Sequence, residues 1–180
     1  MISLRDATPG DREFLHRLLA GSREELLDAA GCEPMARAAL VAMQFEAQQR
    51  AYRVAHPDAT RQVIEVDLHG VPEPVGQFWV DRQPREFRLL DISLLPVHRG
   101  KGIGSFFMRR LLEEAAASAA AVSLHVEQSN PALALYRRLA FAVVGGQPPY
   151  LAMRWVAAPD SVAPSDPIPP SPYETAEEMP

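Results

Sequence analysis

The sequence predicts an α+β protein built on one mixed, mostly antiparallel sheet with helices. Three observations lead there. Apolar residues recur at helical spacing through the first 55 residues, then alternate in three consecutive segments, and then flank a glycine-rich turn set between a strand and a long amphipathic stretch. With 180 residues and 47% apolar composition, the chain can enclose one sizeable core, because domains run to roughly 100 to 200 residues.

The elements follow in order. Ile2 and Leu4 alternate as a short strand. In "ATPGDREFLHRLLAGSREELLDA", Thr8 or Asp11 can cap a helix that carries Phe14, Leu15, Leu18 and Leu19 on one face. The stretch "ARAALVAMQFEAQQRAYRVA" spaces Leu40, Met43, Ala47 and Tyr52 for a second buried face, a stripe that reads as core rather than as a cofactor box. The period then changes. "RQVIEVDL" and "PVGQFWVD" read as strands joined through His69, Gly70 and Pro72, and "FRLLDISLLP" completes a meander. A long helix from near Ser105 carries Phe107, Leu111 and Ala115. "AVSLHVE" is a strand, "PALALYRRLA" a helix, and "FAVVGG" with "YLAMRWV" closing strands. We expect residues 1–156 to form one domain and residues 157–180, dense in Pro, Ser and acid, to form an extended or disordered tail.

Charge and composition remove several function classes. The formal net charge is -5, and Asp160, Asp166, Glu174, Glu177 and Glu178 carry that excess in a stretch without Lys or Arg, leaving residues 1–154 near neutral. An extended nucleic-acid surface is not expected. No run reaches the 18 or so apolar residues of a membrane span, and charges interrupt the N-terminal stretch where a signal peptide needs its apolar centre, so a cytoplasmic protein is expected. Cys32 is the single cysteine and receives no role. His16, His56, His69 and His98 lack metal-ligand spacing, and no metal is expected.

Positive charge is concentrated locally at Arg99, Lys101, Arg109, Arg110, Arg137 and Arg138, which suits a small anionic ligand. In "RGKGIGS" the glycines at 100, 102 and 104 stand between a strand and a helix. Glycine admits close backbone approach, and the unpaired amides of a helix N-terminus carry partial positive charge toward phosphate oxygens. Lys101, the chain's single lysine, is followed by Gly102 rather than Ser or Thr, so a Walker loop is excluded. A dinucleotide fold would place its third glycine at Ser105 and needs a βαβ order before the loop; it stays as a distant alternative.

These residues resemble the GNAT superfamily of acetyltransferases, which transfer an acetyl group from acetyl-coenzyme A to an amine. The loop Arg99-Gly100-Lys101-Gly102-Ile103-Gly104 after Leu94-Leu95-Pro96 is similar to the family's Q/R-x-x-G-x-G/A after V-x-P, with Leu94 replacing Val. A second element, Asn130, Ala132, Leu135 and Tyr136 before Ala140-Phe141, resembles the family's Asn, A-x-x-L-Y and G-F. The resemblance implies helices on both faces of the sheet and a V-shaped splay between its fourth and fifth strands. It implies that amides from Arg99 to Gly104 hold the coenzyme's pyrophosphate, that Ser105 caps the next helix, and that Leu94 and Leu95 flank the pantetheine arm. Either Ser129 or Asn130 would contact that arm, since the family's Asn stands seven residues before the Tyr and Ser129 holds that distance here. Ala140 replaces a glycine and resists the left-handed conformation common after a helix end, at roughly 1 kcal/mol.

Aminolysis of a thioester needs a neutral amine, a place for the oxyanion and a proton for the departing thiolate. Tyr136 matches the family's general acid. His125 is one candidate base, because it alternates with Val122, Leu124 and Val126 and should face away from the apolar layer. Asp91, acting through water, is the other. We expect an N-acetyltransferase using acetyl-coenzyme A as co-substrate, with a small-molecule or peptide amine as acceptor. The competing reading is a non-catalytic acyl-coenzyme A binding or sensing module. Phe45, Tyr52, Gln77, Trp79 and Tyr150 suggest a partly aromatic acceptor cleft, and sheet edges with the Pro-rich tail admit a homodimer.

Overall fold

In a computed structural model of the chain, the structure describes residues 1–157 apart from residues 30, 32 and 69. Cys32, His69 and the greater part of the expected tail lie outside the described residues. The elements are β1 (Ile2–Asp6), α1 (Arg12–Ala29), α2 (Pro34–Ala55), β2 (Thr60–Leu68), β3 (Val71–Arg82), β4 (Glu86–Leu94), α3 (Ile103–Ala117), β5 (Ala121–Glu127), α4 (Leu133–Arg138), β6 (Ala142–Gly145) and β7 (Tyr150–Trp155). Single 3-10 turns, Pro9–Asp11 and Pro96–His98, precede α1 and follow β4.

The strands lie in the order β1-β2-β3-β4-β5-β7-β6. β1 pairs antiparallel with β2, and β7 pairs antiparallel with both β5 and β6. Gln83 and Glu86 exchange backbone hydrogen bonds at 3.1 and 3.2 Å, which closes the β3-β4 hairpin as an antiparallel pair. The parallel pairing is β4 with β5, from Glu86↔Ala121 to Leu89↔Leu124. It stops there although both strands run on, to Leu94 and Glu127. That early end of pairing is the expected splay between the fourth and fifth strands, and the α+β class with flanking helices is as expected.

Two compact units share the β3-β4 hairpin, one made of Met1–Trp79 with Asp91–Gly104, the other of Val80–Leu90 with the described residues from Ser105 to 157. In the first, Phe14, Leu15 and Leu18 of α1, Phe45 of α2 and Val63 of β2 form one core cluster. Burying each such side chain stabilises by roughly 1.5–3 kcal/mol. Val63 and the adjacent Ile64 are both fully buried, so both faces of β2 are covered. In the second unit, Phe107, Met108, Leu111 and Ala115 of α3 and Val122 and Leu124 of β5 are buried. The period-3.6 stripe of α3 therefore lies where the sequence placed it.

The buried face of α2 differs from expectation. Val41, Phe45, Gln48, Gln49 and Tyr52 are buried, whereas Met43 is 63% exposed and Ala47 is exposed. Phe45 decides the rotation: it joins the α1-β2 cluster, which turns Met43 outward and brings two glutamines inside.

Candidate functional site

The glycine turn has the shape its composition suggested. Gly100 and Gly102 adopt φ of 72° and 82°, values open to glycine and strained for other residues. Helical geometry begins at Ile103, immediately after Gly102, and runs for 15 residues. Ser105 is therefore the third residue of α3 and does not cap it, a correction to the expected start. The left-handed turn at Gly102 redirects the chain so sharply that helix starts at once. A Cβ on Gly100 or Gly102 would meet nothing within 4 Å, and one on Gly104 would only touch Ile92 at 3.9 Å. The loop thus exposes main chain rather than side chain, with Lys101 exposed beside it. An anionic ligand fits such a surface, because its oxygens need N–H groups and room.

Arg99 does something the sequence did not indicate. Its Nε donates to the carbonyl of Leu94 at 2.9 Å and its Nη2 to the carbonyl of Gly21 at 3.4 Å, so it clips the loop to the end of β4 and to α1. Leu95 donates its N–H to the Val75 carbonyl at 2.8 Å. Beside this pair stands Gly76, where a Cβ would lie 2.4 Å from the Ser93 carbonyl oxygen and 2.6 Å from Leu94 Cδ2. No side chain fits there. Gly76 thus lets β4 approach β3 at Ser93 and Leu94, a role visible only once the register of the hairpin is known.

Asp91 belongs to a chain of hydrogen bonds across three neighbouring strands. Arg61 on β2 donates through Nε and Nη2 to Gln77 Oε1 at 2.8 and 2.5 Å. Gln77 on β3 is 3% exposed and donates through Nε2 to Asp91 Oδ2, which also accepts from Ser93 Oγ at 3.3 Å. The guanidinium of Arg61 lies 4.6 Å from the Trp79 ring centre, and Tyr52 meets Trp79 edge-on at 4.8 Å. The expected aromatic residues Phe45 and Trp79 line a cavity of about 380 Å³ whose wall also includes Arg61.

In the other unit, Arg88 is buried and donates to Ser123 Oγ at 3.3 Å and to His125 Nδ1. A guanidinium only donates, so Nδ1 accepts and the neutral imidazole carries its proton on Nε2. Ser123 is 1% exposed, so the Ser123 side of β5 is covered rather than open. Ser129 Oγ donates to Glu127 at 2.9 Å. Asn130 Oδ1 accepts the N–H of Ala132 at 2.9 Å, turning the chain into α4. Tyr136 is 6% exposed and packs against Phe141. Tyr150 is half-buried and faces Glu127 across the β5-β7 ladder.

Among the described residues no group of three or more His, Cys, Asp or Glu is placed to hold a metal ion, and no helix is long and apolar enough to cross a membrane. A family model described as Acetyltransferase (GNAT) family matches residues 25–141. No curated protein matches. The fold is similar to that of the PaiA N-acetyltransferase from Thermoplasma acidophilum in complex with coenzyme A, with TM-score 0.65, 14% identity and 87% and 99% of the two chains covered. It is equally similar to a domain from Methanocaldococcus jannaschii, with TM-score 0.65, 13% identity and the same coverage. A spermidine N-acetyltransferase from Vibrio cholerae in complex with CoA and spermine gives TM-score 0.58 and 21% identity over 86% and 95% of the chains.

Proposed function

Because the chain belongs to the GNAT acetyltransferase family, we propose that it is an N-acetyltransferase using acetyl-coenzyme A and a primary-amine acceptor, with direct transfer and no covalent enzyme intermediate. The observation that carries this reading is the turn Arg99–Gly104, whose left-handed glycines open a 15-residue helix and leave open space at Gly100 and Gly102 beside the amides of the helix start. Those amides and Lys101 hold the pyrophosphate in this proposal, and the Leu94–Leu95 main chain, set by Gly76 and Arg99, flanks the pantetheine arm. Ser129 or Asn130 meets that arm from the start of α4. Residues 1–156 act as one acetyltransferase domain of a cytoplasmic enzyme that can pair as a homodimer.

When bound, the thioester supplies an activated acetyl carbon. The amine nitrogen forms the new C–N bond as the C–S bond breaks, and the thiolate leaves with a proton. An amine of pKa near 10.4 is about one part in two thousand neutral at pH 7, so the chain must take its proton. Asp91 is our choice, acting through water. Gln77 and Ser93 hold its carboxylate in one orientation. The Arg88 contact commits the Nδ1 lone pair of His125, so His125 takes that proton only if Arg88 withdraws. Tyr136 is proposed to protonate the thiolate, and a backbone amide near Leu94 to face the oxyanion.

The competing reading is a non-catalytic acyl-coenzyme A sensor. A cleft filled by the chain's own side chains would favour it, and the open cavity of about 380 Å³ beside the Arg61-Gln77-Asp91 chain supports the enzyme instead. Calorimetric titration with acetyl-coenzyme A, coenzyme A and NAD, followed by thiol release with an amine panel, tests the proposal. Coenzyme A binding with thiol release supports it, binding without release favours the sensor, and binding of NAD alone overturns both.

A further inference from the structure

We propose that Arg61 is a positioning residue for the reaction: through the side-chain amide of Gln77 it keeps Asp91 in the ionised form that can take a proton. This rests on the acetyltransferase reading, in which Asp91 is the base, and names what controls that base. Arg61 stands on β2, Gln77 on β3 and Asp91 on β4, and all three belong to the first compact unit. A guanidinium donates at every nitrogen and accepts at none. Its Nε and Nη2 both donate to Gln77 Oε1, at 2.8 and 2.5 Å, which fixes the amide with its oxygen toward β2 and its Nε2 toward β4. Nε2 then donates to Asp91 Oδ2. Gln77 is buried, so a reversed amide would set its N–H groups against those of Arg61 with little water to separate them.

The orientation matters because the two ends of an amide favour opposite states of a carboxyl group. An N–H donor stabilises the carboxylate, whereas a carbonyl oxygen pairs only with the protonated acid. With the amide reversed, Asp91 would hold its own proton and could not accept one from an amine. Ser93 Oγ also bonds to Oδ2, at 3.3 Å, but a hydroxyl turns to serve either form and selects neither. The polarity of Gln77 is therefore decided at Arg61, two strands away from the carboxylate it governs. Arg61 is itself held by ring faces: its guanidinium lies 4.6 Å from the Trp79 ring centre and 5.9 Å from that of Phe45.

The test is a double-mutant cycle on the full chain, with the Asp91 carboxyl titrated by carbon-13 NMR of aspartate-labelled protein, a readout that needs no acceptor. Arg61→Met removes the donors and Gln77→Leu removes the amide. Each single variant should raise the Asp91 midpoint by about 1 pH unit, and the double variant by no more than Gln77→Leu alone. Tyr52, edge-on to Trp79, His56 beside Tyr52, and Arg12 over the Phe45 ring are the same in all four proteins and cancel in the cycle. An equal shift from Arg61→Met in both backgrounds would mean that its charge acts directly, and would overturn the relay, as would an unmoved midpoint. Gln77→Glu is a second route that leaves Arg61 an acceptor: oxygen then faces oxygen, the two carboxyls compete for a proton, and the Asp91 midpoint should rise, so no rise overturns the relay. Thermal unfolding and coenzyme A affinity near those of wild type show that each variant is folded. Additive shifts with normal thiol release from acetyl-coenzyme A and a panel of amines would leave the proposed function standing without the relay. A wild type that neither binds coenzyme A nor releases thiol would remove that function, and the base with it.

Discussion

Phe141 donates its backbone N–H to the carbonyl of Tyr136 at 3.0 Å and sets its ring 5.7 Å from the Tyr136 ring, at 63°. Ala140 between them donates to the Arg137 carbonyl at 3.1 Å with φ of 65°. These are the paired bonds and the apolar contact of a Schellman helix end, with alanine in the position that glycine normally fills. The proposed acid Tyr136 is thus anchored by the turn that ends its own helix.

Ala140→Gly should therefore stabilise the protein by about 1 kcal/mol, because the left-handed conformation costs alanine that much more than glycine. In a chain of this size, thermal unfolding should shift upward by about 2–4 °C. An unchanged or lower midpoint would show that the turn is not strained.

Gly102→Asp should abolish measurable coenzyme A binding by strain at φ of 82° and by a carboxylate in the proposed anion site. A side chain there has open space, so thermal unfolding should move only by the conformational cost of about 1–2 kcal/mol. Wild-type affinity in this variant would sink the phosphate-loop assignment.

Asp91→Asn should lower kcat by about 10²–10⁴-fold with coenzyme A affinity unchanged, the range expected for losing a general base. His125→Ala should cost much less, and Tyr136→Phe should lower turnover without altering coenzyme binding. A larger loss at His125 than at Asp91 would reverse the assignment of the base.

Gly76→Ala should weaken coenzyme A binding, because the added methyl needs the space of the Ser93 carbonyl and moves the Leu94 main chain. Parallel calorimetry and thermal unfolding separate the two effects. A variant that unfolds like wild type and binds normally would show that β4 yields without consequence.

Asp11 carries a pH prediction. The hydrogen bonds from Arg5 at 2.8 and 2.6 Å, with further bonds from the Thr8 N–H and hydroxyl, hold its carboxyl well below the usual range despite its burial. A folded-state value below the unfolded one means that the stabilisation is present above about pH 4 and is lost as pH falls through the depressed value. Arg5 is 38% exposed, so the ion pair is partly screened. Asp11→Asn should therefore unfold more easily than wild type at pH 7, by about 1–2 kcal/mol through loss of the capping contact. Below the ordinary carboxylate range the gap should narrow, closing as pH falls through the depressed value, and a gap independent of pH would show that Arg5 is not the cause.

Elements with a strong local period were legible in the sequence, and contacts that depend on register were not. Phe107, Leu111 and Ala115 declared α3 by spacing alone. For α2, two faces were comparably apolar, and Phe45 rather than Met43 turned inward because of a cluster made with β2 and α1. The glycines at 100, 102 and 104 marked a turn open to close backbone approach, whereas Gly76 looks like any strand glycine until the register sets Ser93 against it. Arg61, Gln77 and Asp91 lie 16 and 14 residues apart, and only strand alignment brings them into a row. Arg88, facing His125 across 37 residues, was hidden for the same reason.

The clip that Arg99 makes between the Leu94 and Gly21 carbonyls ties the Arg99–Gly104 turn down by contacts from the chain itself. If the proposed diphosphate binds there, the turn is held in place before it arrives, and less conformational freedom is surrendered on association. On the proposed reading, discrimination among diphosphate ligands would then rest on how well each matches that held edge.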